Sequence, residues 1–142
     1  GFVNYLTECN SHFLEAAGLR VRFDIPQDMP DTALAGKVRH YLFLAVREAL
    51  NNAVRHARAD LIRVEIRAES TNLRIGIEDN GCGFAHEQTT VAGTHEGLTN
   101  MRRRMEEIGG RFELANRSGG GTRVEFVAPL TVENPAPTRK FP

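Results

Sequence analysis

The chain has 142 residues, 41% hydrophobic and 25% charged, which suits one globular domain and excludes a second full one. Lysine plus arginine match aspartate plus glutamate at 18 each, which excludes the bulk electrostatic field that nucleic acid or an anionic membrane would attract. No apolar run approaches the roughly 20 residues of a membrane span, and the N-terminus lacks signal-peptide features. We therefore expect a cytoplasmic domain without membrane contact of its own, and a parent anchored in the inner membrane is compatible with it.

The first third of the chain predicts a helix, a strand and a long helix. Phe2, Leu6, Cys9 and Phe13 recur at three- and four-residue steps, typical of an amphipathic helix, which Gly18 ends. Apolar and charged residues then alternate over residues 21–25, the period of a half-buried strand. A long helix is predicted from about residue 32 to 57. Its apolar stripe, expected to face a sheet, comprises Val38, Leu42, Val46, Ala49 and Ala53.

The remainder alternates strands with one more helix. Residues 62–66 and 73–77 alternate like two strands of an antiparallel hairpin, with the turn at residues 70–72. An irregular stretch over residues 79–97 exceeds a simple connection and is a functional candidate. A helix over residues 98–108, capped by Gly109 and Gly110, precedes two strands around Phe112 and Phe126.

These elements predict an α+β fold: a two-layer sandwich in which a mixed, mostly antiparallel sheet carries three helices on one face. We expect residues 1–130 to form this domain. Residues 131–142 have no core-forming pattern and are expected to be a flexible C-terminal tail.

Polar residues along the long helix suggest a metal and phosphate site. Glu48, Asn52 and His56 are four residues apart and share one stripe beside the apolar one. Asn52 offers the oxygen that Mg²⁺ prefers, and Glu48 offers a base. A solvated helix face is the alternative, although asparagine is mildly unfavourable within a helix.

Glycine-containing segments lie at the ends of three other predicted elements. Asp79-x-Gly81-x-Gly83 comes after a strand. Its glycines permit close approach to a flat ligand, and Asp79 can accept a hydrogen bond from the amino group of a base. An ordinary turn is the alternative. Gly97 and Leu98 open the predicted helix, whose free N–H groups suit phosphate. The arginines that follow, residues 102–104, either reach phosphate or are surface charge. Residues 119–122 are either a loose turn or place the Thr122 hydroxyl beside the base.

Four motifs in this order resemble the catalytic domain of histidine kinases, over about residues 18–130. They are Glu48-x-x-x-Asn52-Ala53-x-x-His56, Asp79-x-Gly81-x-Gly83, Gly97-Leu98-x-Asn100-Met101 and Gly121-Thr122. That domain belongs to the superfamily shared by gyrase, the Hsp90 chaperones and the MutL proteins, with the Bergerat-type ATP-binding fold. Residues 97–104, followed by Gly109-Gly110, are similar to the nitrate-sensor subfamily.

The resemblance implies that ATP binds between the long helix and the loop, with Asn52 on Mg²⁺, Asp79 on adenine and Thr122 supporting Asp79. Glu48 takes the general-base role by its matching position. The γ-phosphoryl group is then donated to a histidine on a dimerisation and phosphoacceptor hairpin, upstream of a response regulator, in a homodimeric parent. The other implied ATP-binding positions are Arg55, His56, Gly81, Gly83, Gly97 and Leu98.

Two departures leave alternatives open. His95 occupies a position where the family usually has glycine, which weakens phosphate cradling unless Gly93 compensates and leaves a degenerate ATP-binding module as one alternative. No segment resembles the phosphoacceptor hairpin, His12 included. A stand-alone serine kinase of the anti-sigma type, which needs no hairpin, is the second alternative, and residues 97–101 argue against it. An ATP-driven switch of the chaperone or topoisomerase class is a third, disfavoured by the lack of a long lid.

Overall fold

The computed structural model describes residues 1–27, 34–56, 58–69, 71–81, 92–117 and 120–130, with the backbone alone at residues 56 and 92–97. Within these ranges, three helices cover one face of a five-stranded mixed sheet, as predicted. The helices are α1 (Phe2–Ala16), α2 (Gly36–His56) and α3 (Ala92–Glu107). The strands are β1 (Arg20–Asp24), β2 (Leu61–Ala68), β3 (Asn72–Asp79), β4 (Arg111–Asn116) and β5 (Thr122–Pro129). The strand order in the sheet is β1-β2-β3-β5-β4, with β1 and β2 parallel and the other pairs antiparallel.

Helix α1 packs on β1 and α2, and its buried stripe matches the predicted one only in part. Its buried side chains are Leu6, Asn10 and Leu14, while Cys9 and Phe13 are only partly buried. The prediction omitted Asn10 because it is polar. Arg47 of α2 donates from Nε to Asn10 Oδ1 at 2.8 Å, and Asn10 Nδ2 donates to the Leu6 carbonyl at 2.9 Å, so the amide is buried with its polar groups satisfied.

Helix α2 forms the centre of the core. Every residue of its predicted apolar stripe is buried, which confirms the stripe. Leu42 and Leu50 are fully buried on the same helix, where they meet inward-facing residues of the sheet such as Ile75 and Phe126. The predicted start near residue 32 lies outside the described residues, and within them the helix begins at Gly36.

The β2–β3 hairpin is confirmed, with one face in the core and one charged. Ile62, Val64 and Ile66 are buried under the helices. On the opposite face, Arg63 contacts Asp24 at 2.7 Å and Arg123 contacts Glu78 at 2.7 Å, each across neighbouring strands. Cross-strand pairs of opposite charge favour this register, and each contributes little because the side chains are partly exposed.

Helix α3 begins earlier than predicted, at Ala92 rather than Leu98. The irregular composition of residues 92–97 concealed the helix, in which Gly93 and Gly97 oppose helix formation most, each by about 1 kcal/mol relative to alanine. Its buried face contains Met101 and Met105. The predicted glycine cap is confirmed: Gly109 has φ +76° and the Gly110 N–H donates to the Met105 carbonyl at 2.8 Å.

The β4–β5 hairpin closes the sheet with a glycine turn. Gly120 and Gly121 have φ of +108° and +101°, and the Arg117 N–H donates to the Gly121 carbonyl at 2.9 Å. The predicted tail, residues 131–142, lies outside the described residues. Within the described ranges, no helix is both long and apolar enough to cross a bilayer.

Candidate functional site

The site is organised around Asp79, the last residue of β3. Its side chain shares the inner face of the sheet with Ile75 and Ile77, and the residue is only 6% exposed. The Gly81 N–H donates to Asp79 Oδ1 at 2.9 Å, closing a tight turn directly after the strand. Thus a carboxylate stands buried at the end of a central strand. Gly83, the second glycine of this motif, lies outside the described residues.

Thr122 is the second buried polar residue of the site. It is 4% exposed, opens β5 and stands directly opposite Asp79 in the antiparallel register. Although 43 positions separate them in sequence, the sheet makes them neighbours. The support of Asp79 by Thr122 stays a prediction, and the register makes the two residues direct neighbours.

Competing effects act on the Asp79 carboxyl group. Burial is the largest and raises its pKa above the ordinary 3.8, because desolvation disfavours the charged form. Backbone hydrogen bonds from Gly81 and Thr122, and the positive charge of Arg117, lower the pKa again without cancelling the effect of burial. The fold therefore provides donors for a carboxylate that it keeps away from water.

Asn80, which the motif reading passed over, fixes the end of β3 to the beginning of β2. Its Oδ1 accepts the backbone N–H groups of Asp60 and Leu61, both at 3.1 Å, and its Nδ2 donates to Asp60 Oδ1 at 2.7 Å. An asparagine before glycine after a strand is a sequence signal for such side-chain to backbone bonding. Its partners are known only once β2 and β3 are paired.

Gly121 has a structural role that the sequence analysis did not predict. A Cβ at this position would lie 2.0 Å from the Asp79 carbonyl oxygen, an impossible contact with backbone. Its φ of +101° also falls where side chains are rarely accommodated. Glycine is therefore required for β5 to approach Asp79.

Helix α2 carries the predicted metal and phosphate residues and packs against β3, β5 and α3. Glu48 and Asn52 are partly buried, one turn apart. The Asn52 Nδ2 atom is buried and has no hydrogen-bond partner among the residues that the structure describes. Arg55 is exposed, and His56 ends the helix with its side chain outside the described residues.

The prediction that Gly97 and Leu98 open the helix is wrong, whereas their role in binding phosphate stays a prediction. Because α3 begins at Ala92, Gly97 lies in the second turn of the helix and its N–H is not among the free ones at the N-terminus. Leu98 is partly buried and packs against the core.

The arginines that follow are used locally. The Arg102 guanidinium lies 5.2 Å from the centre of the Phe112 ring, and Arg103 donates to Asn100 Oδ1 at 3.3 Å. These contacts favour the surface interpretation of Arg102 and Arg103.

The chain is similar in sequence to known proteins. Residues 37–132 match the family described as histidine kinase-, DNA gyrase B-, and HSP90-like ATPase. The sensor histidine kinase LiaS of Bacillus subtilis is 38% identical over 110 residues, 78% of this chain and 30% of that protein. The sensor protein VraS of Staphylococcus aureus is 31% identical over 115 residues, 81% of this chain and 33% of that protein. The chain thus spans about a third of the length of these curated relatives.

Solved structures share the fold. The histidine kinase domain of a blue-light activated histidine kinase from Erythrobacter litoralis has a TM-score of 0.73 at 23% identity, covering 91% of this chain and 61% of that one. Full-length ShkA, solved in complex with AMPPNP, has a TM-score of 0.74 at 20% identity, covering 98% and 31%. With a family match over most of the chain, sensor kinases as relatives and the predicted sandwich observed, the chain belongs to the histidine kinase-, DNA gyrase B-, and HSP90-like ATPases, as a catalytic ATP-binding domain of the sensor histidine kinase type.

Proposed function

We propose that this domain binds Mg-ATP and donates the γ-phosphoryl group to a histidine on a phosphoacceptor domain of a larger sensor kinase. The main observation behind this proposal is the buried Asp79 carboxylate at the end of a central strand, which is hydrogen-bonded by the backbone of Gly81 and of Thr122. A buried carboxylate with oriented lone pairs suits the amino group of adenine, since a site built to bond that group rejects bases lacking it.

Asn52 supports the magnesium part of the proposal. Its side-chain amide is partly buried and, among the described residues, no group accepts a hydrogen bond from its nitrogen, so a phosphate oxygen beside this residue would complete its hydrogen bonding. An amide oxygen is a hard ligand of the kind that Mg²⁺ takes together with phosphate oxygens. The residues present therefore fit the ion. Bound Mg²⁺ would neutralise charge on the β- and γ-phosphates.

The protein itself would supply position and electrostatics. Asp79 and Thr122 hold the base at the sheet, while Asn52 and Glu48, one turn apart on α2, face the phosphates from the helix. Glu48 is proposed to accept the proton of the attacking histidine, or to orient its ring. Arg55, His56, Gly81, Gly83, Gly97 and Leu98 complete the proposed nucleotide-binding set.

The parent protein is proposed to contain the histidine hairpin, to form a homodimer and to pass the phosphoryl group to a response regulator. The lengths of LiaS and VraS support a larger parent, because this chain covers only 30% and 33% of them. Anchoring in the inner membrane, with residues 1–130 as the ATP-binding domain and residues 131–142 as a tail, belongs to the same proposal.

Calorimetric titration with ATP, with and without Mg²⁺, tests the binding step. Asp79→Asn should weaken ATP binding at least about tenfold, because it replaces the charged acceptor. Asn52→Ala should remove the Mg²⁺ dependence, while the matched control Asn51→Ala, at the neighbouring position of the same helix, should retain it. Wild-type affinity in Asp79→Asn would refute the site.

Phosphotransfer is then measured by adding a histidine hairpin from a sensor kinase and following acid-labile phosphate on it. Glu48→Gln should slow this transfer while leaving the affinity for ATP within about twofold. Equal transfer by wild type and Glu48→Gln would remove Glu48 from the mechanism.

A further inference from the structure

One residue outside the predicted site contacts the backbone of Asp79. Arg117 follows β4 at the beginning of the glycine turn, and its Nη1 donates to the Asp79 carbonyl oxygen at 3.1 Å. Its Nε lies 3.9 Å from Glu78 Oε1. A single guanidinium thus meets two successive residues of β3, at the point where the strand delivers the Asp79 carboxylate.

The turn that follows Arg117 holds this contact in place. The Arg117 N–H donates to the Gly121 carbonyl at 2.9 Å, and the Gly120 N–H donates to the Arg117 carbonyl at 3.2 Å. The positive φ values of Gly120 and Gly121 bring the hairpin close beneath Asp79. Both backbone polar groups of Arg117 are therefore hydrogen-bonded within the hairpin.

We propose that Arg117 is a positioning residue for the nucleotide base, which fixes the Asp79 backbone through its carbonyl so that the carboxylate meets the adenine amino group. This inference rests on the proposed function, since it concerns the same site. Arg117 contacts Asp79 from the backbone side and acts through it. Nothing in the four nucleotide-binding motifs includes this residue.

Electrostatics favour the same assignment. Burial raises the pKa of Asp79, and the positive charge of Arg117 opposes that rise. An ionised carboxylate accepts a hydrogen bond from the adenine amino group with either oxygen, whereas a protonated carboxyl group has one oxygen that carries a hydrogen and donates instead. The Arg117 side chain is 36% exposed, so its effect on Asp79 is screened in part.

A purely structural role in the hairpin would have a different signature from a positioning role. Loosening the hairpin lowers the affinity for any nucleotide, whatever its base. Misplacing Asp79 lowers the affinity only for a base that carries the amino group. Purine riboside triphosphate, which has hydrogen in place of that amino group, therefore separates the two roles.

The experiment measures the dissociation constants of ATP and purine riboside triphosphate for the full chain at a temperature where each variant is folded. Arg117→Ala should weaken ATP binding roughly three- to tenfold, the equivalent of one hydrogen bond, and purine riboside triphosphate binding less than about twofold. Arg117→Lys, which keeps the charge and a donor, should recover most of the ATP affinity. Arg123→Ala is the matched control: Arg123 also pairs with Glu78, at 2.7 Å, and should leave the ATP preference unchanged.

Equal weakening of both nucleotides by Arg117→Ala, or no weakening of ATP, would overturn the inference. If Arg117→Ala does not fold, Arg117→Gln answers the same question through the ratio of the two affinities. Absence of ATP binding by the wild type, or wild-type binding by Asp79→Asn, would instead overturn the proposed function itself. The two failures are thus distinguishable.

Discussion

Replacing Gly121 by alanine tests the packing that brings β5 against the site. The new Cβ would lie 2.0 Å from the Asp79 carbonyl oxygen, whereas ordinary contact begins at 3.4 Å, so backbone must move. The positive φ alone costs about 1–2 kcal/mol. Moving the strands also weakens the 2.9 Å bond to the Gly121 carbonyl and the bonds to the Asp79 carboxylate, at about 1 kcal/mol each. We expect Gly121→Ala to destabilise the domain by about 3–5 kcal/mol.

Gly109→Ala is the matched control, because Gly109 has a φ of +76° but no atom of the described residues within 4 Å of its added Cβ. It should cost only the strain of about 1–2 kcal/mol. At roughly 3 °C per kcal/mol for a domain of this size, thermal unfolding followed by circular dichroism should show a Tm loss of about 9–15 °C for Gly121→Ala and about 3–6 °C for Gly109→Ala. Equal losses would refute the argument from close approach.

Three other changes probe the core, the cap and the buried charge. Asn10→Leu removes the acceptor of the Arg47 Nε and should lower the free energy of unfolding in urea by roughly 1–3 kcal/mol. The same change at exposed Asn4 should alter it by less than about 0.5 kcal/mol, and equal effects would contradict a stabilising role for the buried Asn10–Arg47 hydrogen bond. In Gly110→Ala the new Cβ would lie 2.3 Å from the Val127 carbonyl oxygen, so the variant should have a lower Tm. Below its unfolding temperature it should bind ATP with wild-type affinity, and a lost affinity would show that the helix cap is coupled to the site. Burial raises the pKa of Asp79 above 3.8, so the protonated carboxyl group is the form that folding favours. The contribution of this group to the free energy of unfolding is therefore fully present below pH 3.8 and is lost as the pH rises through the raised pKa. Asp79→Asn should therefore melt at a higher temperature than wild type at pH 7 without nucleotide, by a margin that narrows toward pH 3.8; a lower melting temperature at pH 7 would oppose this.

Periodic segments were predictable because their signal is local. The stripe from Val38 to Ala53 and the alternation over residues 62–66 repeat within a few positions, so side-chain direction follows from the helix or strand period alone. The start of α3 was not predictable in this way, since the residues before Leu98 have no apolar period to reveal a helix. Asn10 was overlooked for a related reason: a buried amide becomes acceptable only when Arg47 and the Leu6 carbonyl satisfy it.

The types of element, the apolar faces and the motif residues, including Asp79, Asn52 and Thr122, can be identified from the amino-acid sequence. Which backbone groups meet depends on the folded arrangement of the strands. Register sets Thr122 opposite Asp79, and the turn at Gly121 brings Arg117 to the Asp79 carbonyl. Such contacts depend on how strands far apart in the chain pair and twist, and no local pattern encodes that geometry.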